Sequence, residues 1–282
     1  MSDAPPIDLS GLMERYDIFF LDQFGVLRDD EGLYEGATDA LRALKAAGKT
    51  VAILSNSGRE GAFNAERIAA LGLPRECFDH FVTSGDVGLA VLRWPGSPAR
   101  AGGRCLTIAG AGAPGFGASL GMAEAASGAE ADLVVISGSE AERISMDAYA
   151  DLLRPAVARA APCLCLNPDQ HKLWQGRSVP SAGAIADLYE RLGGTVMRLG
   201  KPFPEIYEHA LRLCGDPDRE RVVCVGDSIE HDILGARRAG LASVLVSTGL
   251  AAWQAPARQA AIMTAQNAWP TWRMPAFVAD VT

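Results

Sequence analysis

Five short polar motifs in this sequence each follow an apolar run, and the residue types they carry could together handle an anion and a metal ion. The run Ile18-Phe19-Phe20-Leu21 ends in Asp22-Gln23-Phe24-Gly25-Val26-Leu27, and the run Thr50 to Leu54 ends in Ser55-Asn56-Ser57-Gly58. Gly200-Lys201-Pro202 follows Val196 to Leu199, Gly226-Asp227-Ser228-Ile229-Glu230-His231-Asp232 follows Val222 to Val225, and Asn167-Pro168-Asp169 follows Cys163 to Leu166. A carboxylate can act as a nucleophile, a lysine and a hydroxyl can hold anionic oxygens, and several carboxylates can hold a hard cation. Each motif alone reads as a turn or a helix N-cap. Their shared position after apolar runs is what directs attention to them.

The elements that must position these groups are strands and helices in alternation. Short runs rich in β-branched and aromatic residues recur between amphipathic segments such as Ala37 to Ala47, Arg59 to Leu71, Met146 to Ala160, Ala182 to Leu192, Glu205 to Leu213 and Ile229 to Ala239. That alternation predicts an α/β fold with a Rossmann-like parallel sheet. Open sheets of this kind bind ligands at the carboxyl ends of their strands, where Asp22, Ser55, Lys201 and Asp227 fall. The segment after Gly249, with Trp253, Trp269 and Trp272 and several prolines, reads as an irregular tail.

With Asp22 and Gly25, Ser55, Lys201, and Asp227 and Asp232 in this order, the chain resembles the haloacid dehalogenase superfamily over nearly its whole length. The short interval from Asp22 to Ser55 and the long one from Asn56 to Lys201 resemble subclass IIA, in which an α/β cap is inserted after the second motif. Thr83-Ser84-Gly85-Asp86, Asn167-Pro168-Asp169 and Gly183-Ala184 strengthen that likeness. The resemblance implies a catalytic core at 1–86 and 195–282 and an inserted substrate-specificity cap at 87–194. It implies that Asp22 is a phosphate-accepting nucleophile, and that Mg²⁺ is held by Asp22, the backbone carbonyl of Phe24 and Asp227. Lys201 and Ser55 would hold the phosphoryl oxygens, Asp232 would orient Lys201 or a metal-bound water, and Asn56, Asn167, Asp169 and His171 would face the substrate. The expected activity is that of a phosphatase acting on a small phosphorylated metabolite.

One position departs from the family pattern. A second aspartate two residues after the nucleophile protonates the leaving oxygen in most such phosphatases, and here that residue is Phe24. A phenyl ring transfers no proton, so a factor of roughly 10²–10⁴ is forgone unless another group supplies it. The alternatives this raises are a dehalogenase-like or phosphonatase-like hydrolase and a catalytically weak phospho-ligand binder. The Gly226-Asp227 pair and the place of the insert oppose the dehalogenase; a phosphonatase-like reaction avoids the missing acid and stays open; the nucleophile Asp22 opposes the last.

Composition narrows the partners. The 282 residues carry 26 Lys and Arg against 34 Asp and Glu, a net charge of -8, which argues against a broad grip on nucleic acid or on an anionic membrane. The start of the chain has no basic patch followed by an apolar run, and the small-apolar stretch from Thr107 to Ala123 is broken by Pro114 and glycines, so the expectation is a cytoplasmic protein without a membrane span. A homodimer is the one assembly entertained. The six cysteines are scattered and read as reduced core residues. Gly110-Ala111-Gly112-Ala113-Pro114-Gly115 with Asp132 mimics a dinucleotide fingerprint, which a tight turn explains, and Gly117-Ala118-Ser119-Leu120-Gly121 mimics a nucleophile elbow but lies too far after the strand and reads as helix or loop.

Overall fold

The computed structural model describes residues 4–175 and 177–279. The chain divides into two compact units. One comprises Met1–Ser55, Gly61–Val82 and Lys201–Thr282, the other Asn56–Glu60 and Thr83–Gly200.

The first unit is built on a six-stranded sheet in the order Trp272–Met274, Ala242–Val246, Val222–Gly226, Ile18–Asp22, Thr50–Ser55, His80–Thr83. Ile18–Asp22 lies parallel between two neighbours, with Ile18 opposite both Val222 and Thr50 and with Asp22 opposite Leu54. Its first four residues are all buried, as continuous apolar runs are when helices cover both faces of a parallel sheet. Phe19, Leu21, Val51, Ile53, Val223 and Val225 form one core with Leu41, Leu44 and Ile68 from flanking helices. Each such side chain taken from water contributes about 1.5–3 kcal/mol. The helix Ala37–Ala46 earns its place there because Ala37, Ala40, Leu41 and Leu44 recur at helical spacing on its buried face. A second cluster of Ile229, Ile233, Leu245, Met263 and Ala268 packs separately.

The tail after Gly249 is regular, contrary to the sequence expectation. It contains the helix Pro256–Gln266 and the strand Trp272–Met274, which pairs in parallel with Ala242–Val246. Three residues show no usable periodicity; the neighbouring strand supplies the pairing, and Trp272 Nε1 donates to Tyr16 Oη at 3.0 Å. The predicted helix from Ile229 to Ala239 also changes character, starting as a π-helical turn over Ile229–Ile233 before the α-helix Leu234–Arg238. Wide turns of this kind often mark functional sites.

The second unit has its own parallel sheet, ordered Val196–Arg198, Cys163–Cys165, Leu133–Ile136, Arg104–Ile108, Ala123–Glu124. Its core includes Val134, Ile136, Tyr149, Leu153, Ile185 and Tyr189. A separate antiparallel hairpin, His171–Trp174 with Arg177–Pro180, carries no Asn-Gly type signal and is not legible in the sequence. The unit boundaries differ from 87–194. The helix Ser84–Arg93 opens with a capping box in which Asp86 Oδ2 accepts from Thr83 N and Thr83 Oγ1 accepts from Asp86 N, so no division falls at residue 86. At the other end Leu199 N donates to Cys165 O, extending the second sheet's pairing to that residue. Among the described residues no helix is long and apolar enough to cross a membrane.

Candidate active site

The first unit gathers Asp22, Lys201, Asp227 and Asp232. Parallel pairing of Ile18–Asp22 with Val222–Gly226 brings Asp22 and the residue after Gly226 to the same edge. Lys201 Nζ lies 2.5 Å from Asp22 Oδ1 and 2.7 Å from Asp232 Oδ1. Asp22 Oδ1 also accepts from Gln23 N at 2.7 Å, so both contacts fall on one carboxylate oxygen and Oδ2 takes part in neither. Asp232 is held from behind by Ser228 N, which donates to its Oδ2 at 3.0 Å. Asp227 Oδ2 accepts from Leu250 N at 2.5 Å.

The glycines here are required by space. Gly25 has φ +83°, and a Cβ on it would lie 2.1 Å from Asp227 Oδ2; Gly249, at φ +57°, would place one 2.1 Å from the same oxygen and 2.4 Å from Gly25 Cα. Only residues without a side chain allow these turns to close on the carboxylate. Thr248 Oγ1 donates to Gly25 O and ties the turns together.

Asp22, Asp227 and Asp232 each offer an oxygen within 4.8 Å of the others. Lys201, Asp227 and Asp232 are each 4% exposed. Three carboxylates against one ammonium is a costly excess of buried negative charge. Burial pushes the Asp22 carboxyl up to about 7, with Lys201 opposing and Asp232 adding to the rise. Burial also holds Asp227 well above the usual carboxylate range, reinforced by repulsion from Asp22 and Asp232. Burial by itself would depress Lys201, but Asp22 and Asp232 outweigh it and the ammonium is held above its ordinary value. A divalent cation on this all-oxygen donor set would remove the excess, which is the fit expected for a hard ion.

Ser55 ends the Thr50–Ser55 strand, one residue beyond the partner of Asp22, and is buried. Phe24 is 47% exposed, and the Arg28 guanidinium stacks over its ring at 4.4 Å from the centroid. Asn56, Asn167 and Asp169 lie in the second unit. There Asn56 Nδ2 donates to Asp169 Oδ1 at 2.9 Å, and Asp169 N donates to Asn167 Oδ1 at 2.9 Å. His171 is exposed at the start of the hairpin, paired opposite Pro180.

The sequence reading missed the Thr248-Gly249-Leu250 turn, which ends the Ala242–Val246 strand's excursion and serves Asp227. A Thr-Gly pair after an apolar run was the available signal. It also missed Arg28, for which the sequence holds no signal.

Comparison with known proteins gives the family of the chain. The haloacid dehalogenase-like hydrolase family matches residues 19–115, and the HAD-hydrolase-like family matches 198–267. A haloacid dehalogenase-like hydrolase from Brucella suis 1330 superposes with a TM-score of 0.80 at 31% identity, over 96% of this chain and 99% of that one. The chain belongs to the haloacid dehalogenase-like hydrolases. It is an enzyme, and its fold is that of the ribonucleotide monophosphatase NagD of Escherichia coli K-12, to which it is 36% identical over 96 residues, 33% of this chain and 36% of that one. The solved NagD structure superposes with a TM-score of 0.71 at 23% identity, over 95% of this chain and 99% of that one. Human chronophin is 31% identical over 240 residues, 80% of this chain and 79% of its own length.

Proposed function

We propose that this chain is a Mg²⁺-dependent phosphomonoester hydrolase that works through an aspartyl phosphate on Asp22. The observation that carries the reading is the division of the Asp22 carboxylate. Lys201 and the Gln23 N–H both hold Oδ1, at a strand end shared with two further buried carboxylates. The monophosphatase activity that names NagD supports the same reaction type.

Asp22, Asp227 and the Phe24 carbonyl would hold Mg²⁺, which supplies charge neutralisation for an anionic nucleophile meeting an anionic phosphoryl group. Asp22 attacks phosphorus, a carboxylate oxygen–phosphorus bond forms, and the bond to the leaving oxygen breaks. Water then attacks the same phosphorus, releasing phosphate and restoring Asp22. Lys201 keeps its proton throughout and holds a transferring oxygen, because Asp232 pins it in place. Ser55 Oγ donates to another. Phe24 moves no proton, so the leaving oxygen departs as an anion unless water protonates it. The second unit, with its Asn56–Asp169 pair and with His171, is assigned the choice of substrate. The six cysteines, all free, suit a cytoplasmic setting.

The test is a screen of purified protein with and without Mg²⁺ against 4-nitrophenyl, acyl and alkyl phosphates, with chloroacetate beside them. The expected result is Mg²⁺-dependent phosphate release, with aryl and acyl substrates far ahead of alkyl ones. Metal-independent halide release would overturn the proposal.

A further inference from the structure

Arg28 lies outside the machinery described so far, and its surroundings are unusual. It is 8% exposed, yet no carboxylate comes within 4.0 Å of its guanidinium among the described residues. Asp29 and Asp30 act on it only from further away, and Arg67 opposes its charge. Among the described residues its one side-chain hydrogen bond runs from Nε to Asp29 O at 2.9 Å. Nη1 and Nη2 donate to no acceptor among the described residues, and neither is sealed from solvent. A largely buried cation without an ion-pair partner is a costly thing for a fold to keep.

The backbone holds it where it is. Arg28 N donates to Gln23 O at 3.1 Å, Gly25 N donates to Arg28 O at 2.8 Å, and Arg28 bridges both Phe24 and Leu33. This closes the turn that begins at Asp22 and that touches Asp227 through Gly25. The guanidinium stacks on Phe24, at the position whose usual acid is missing. A second pair of the same kind, Arg67 over Phe63 at 5.9 Å, stands on the helix Gly61–Ala70 in the same unit. Phe24 and Phe63 are 47% and 38% exposed. Arg67 is near enough to act on the charge of Arg28, as are Asp29 and Asp30, and both arginines are held on exposed rings.

We propose that Arg28, held on Phe24 and backed by Arg67, is a specificity residue that binds an anionic group on the leaving side of the substrate. The substrate class is then a phosphate ester whose leaving group carries a carboxylate or a second phosphate. This rests on the phosphohydrolase reading. A guanidinium offers two parallel donors to such a group, whereas a carboxylic acid at position 24 would repel it once ionised.

The experiment measures binding, so that it does not depend on turnover. With Mg²⁺ present, calorimetry compares ω-carboxyalkyl phosphonates with alkyl phosphonates of the same chain length, from phosphonoacetate against ethylphosphonate upward. The wild type should bind the best carboxylated member about tenfold tighter or more than its uncharged counterpart. Arg28→Met should erase that preference while leaving alkyl phosphonate binding within about threefold, and Arg67→Met should reduce it in part. Arg28→Lys, which keeps the charge and loses the planar fork, should retain a fraction. A wild type that binds both series equally overturns the proposal without any variant. An equal loss for both series in Arg28→Met overturns it in favour of a structural role. Hydrolysis of 4-nitrophenyl phosphate, measured separately, tests the phosphohydrolase reading, so its failure is distinguishable from failure of the carboxylate preference.

Discussion

The Asp22 cluster of the first unit and the Asn56–Asp169 cluster of the second are both polar groups following buried strands, and they are built in opposite ways. In the first, an ammonium and three carboxylates are nearly removed from water, and two of the acids are held above their usual range by burial and mutual repulsion. In the second, a half-exposed amide donates to a half-exposed carboxylate that is also shaped by an Asx turn. The first arrangement is unfavourable as pure structure and pays only through chemistry. The second costs little and would be retained in a protein with no activity at all. Buried excess charge is therefore the stronger mark of a reaction centre.

The comparison can be broken most directly at the nucleophile. Asp22→Asn should lower turnover by about 10⁴-fold or more while circular dichroism and gel filtration stay unchanged. Residual turnover near the wild-type rate would remove Asp22 from the mechanism.

Charge balance gives the next largest effect. Lys201→Met leaves three buried carboxylates without their ammonium and should cost about 3–5 kcal/mol in chemical denaturation. Asp227→Asn should do the reverse in metal-free protein, holding or raising stability, while abolishing the response to Mg²⁺. If the two substitutions destabilise alike, the electrostatic account fails.

A pH series sharpens the same point. Asp22 and Asp227 are raised in the folded state, so the folded chain binds more protons than the unfolded one between the unfolded carboxylate range, about 4, and the folded values. Their contribution to stability is present below that range and is lost as pH rises through about 7 and beyond. The stability of wild type relative to Asp227→Asn, without metal, should accordingly fall from pH 5 to pH 8. Mg²⁺ competes with those protons, so the rise in Tm it produces should be small at pH 5 and about 5 °C at pH 8. A metal response independent of pH would contradict these shifts.

The smallest effect belongs to the second cluster. Asn56→Ala should cost about 1 kcal/mol of stability or less and leave kcat within about tenfold, with any larger change appearing in KM. A loss of turnover matching that of Asp22→Asn would show that the two clusters are not as different as their burial indicates.

The sequence by itself determined the α/β class, the strand-end positions of Asp22, Ser55 and Asp227, and the family, because buried parallel strands are continuous apolar runs and the groups after them keep a fixed order; the strand before Lys201, Val196–Arg198, belongs instead to the second unit's sheet. It also raised the expectation that Phe24 departs from the family pattern. What it left open depended on contacts between distant segments. The Trp272–Met274 strand has too few residues to show a period and exists through pairing with Ala242–Val246. The second hairpin lacks a turn signal, and the capping box at Thr83 moves the unit boundary. Leu250 reaches Asp227 from far along the chain. Arg28 reads as an ordinary loop cation until the backbone closes on Gln23 and Gly25 and lays it over Phe24. Whether a charge is buried, and what faces it there, is decided by packing, and local sequence carries no record of that.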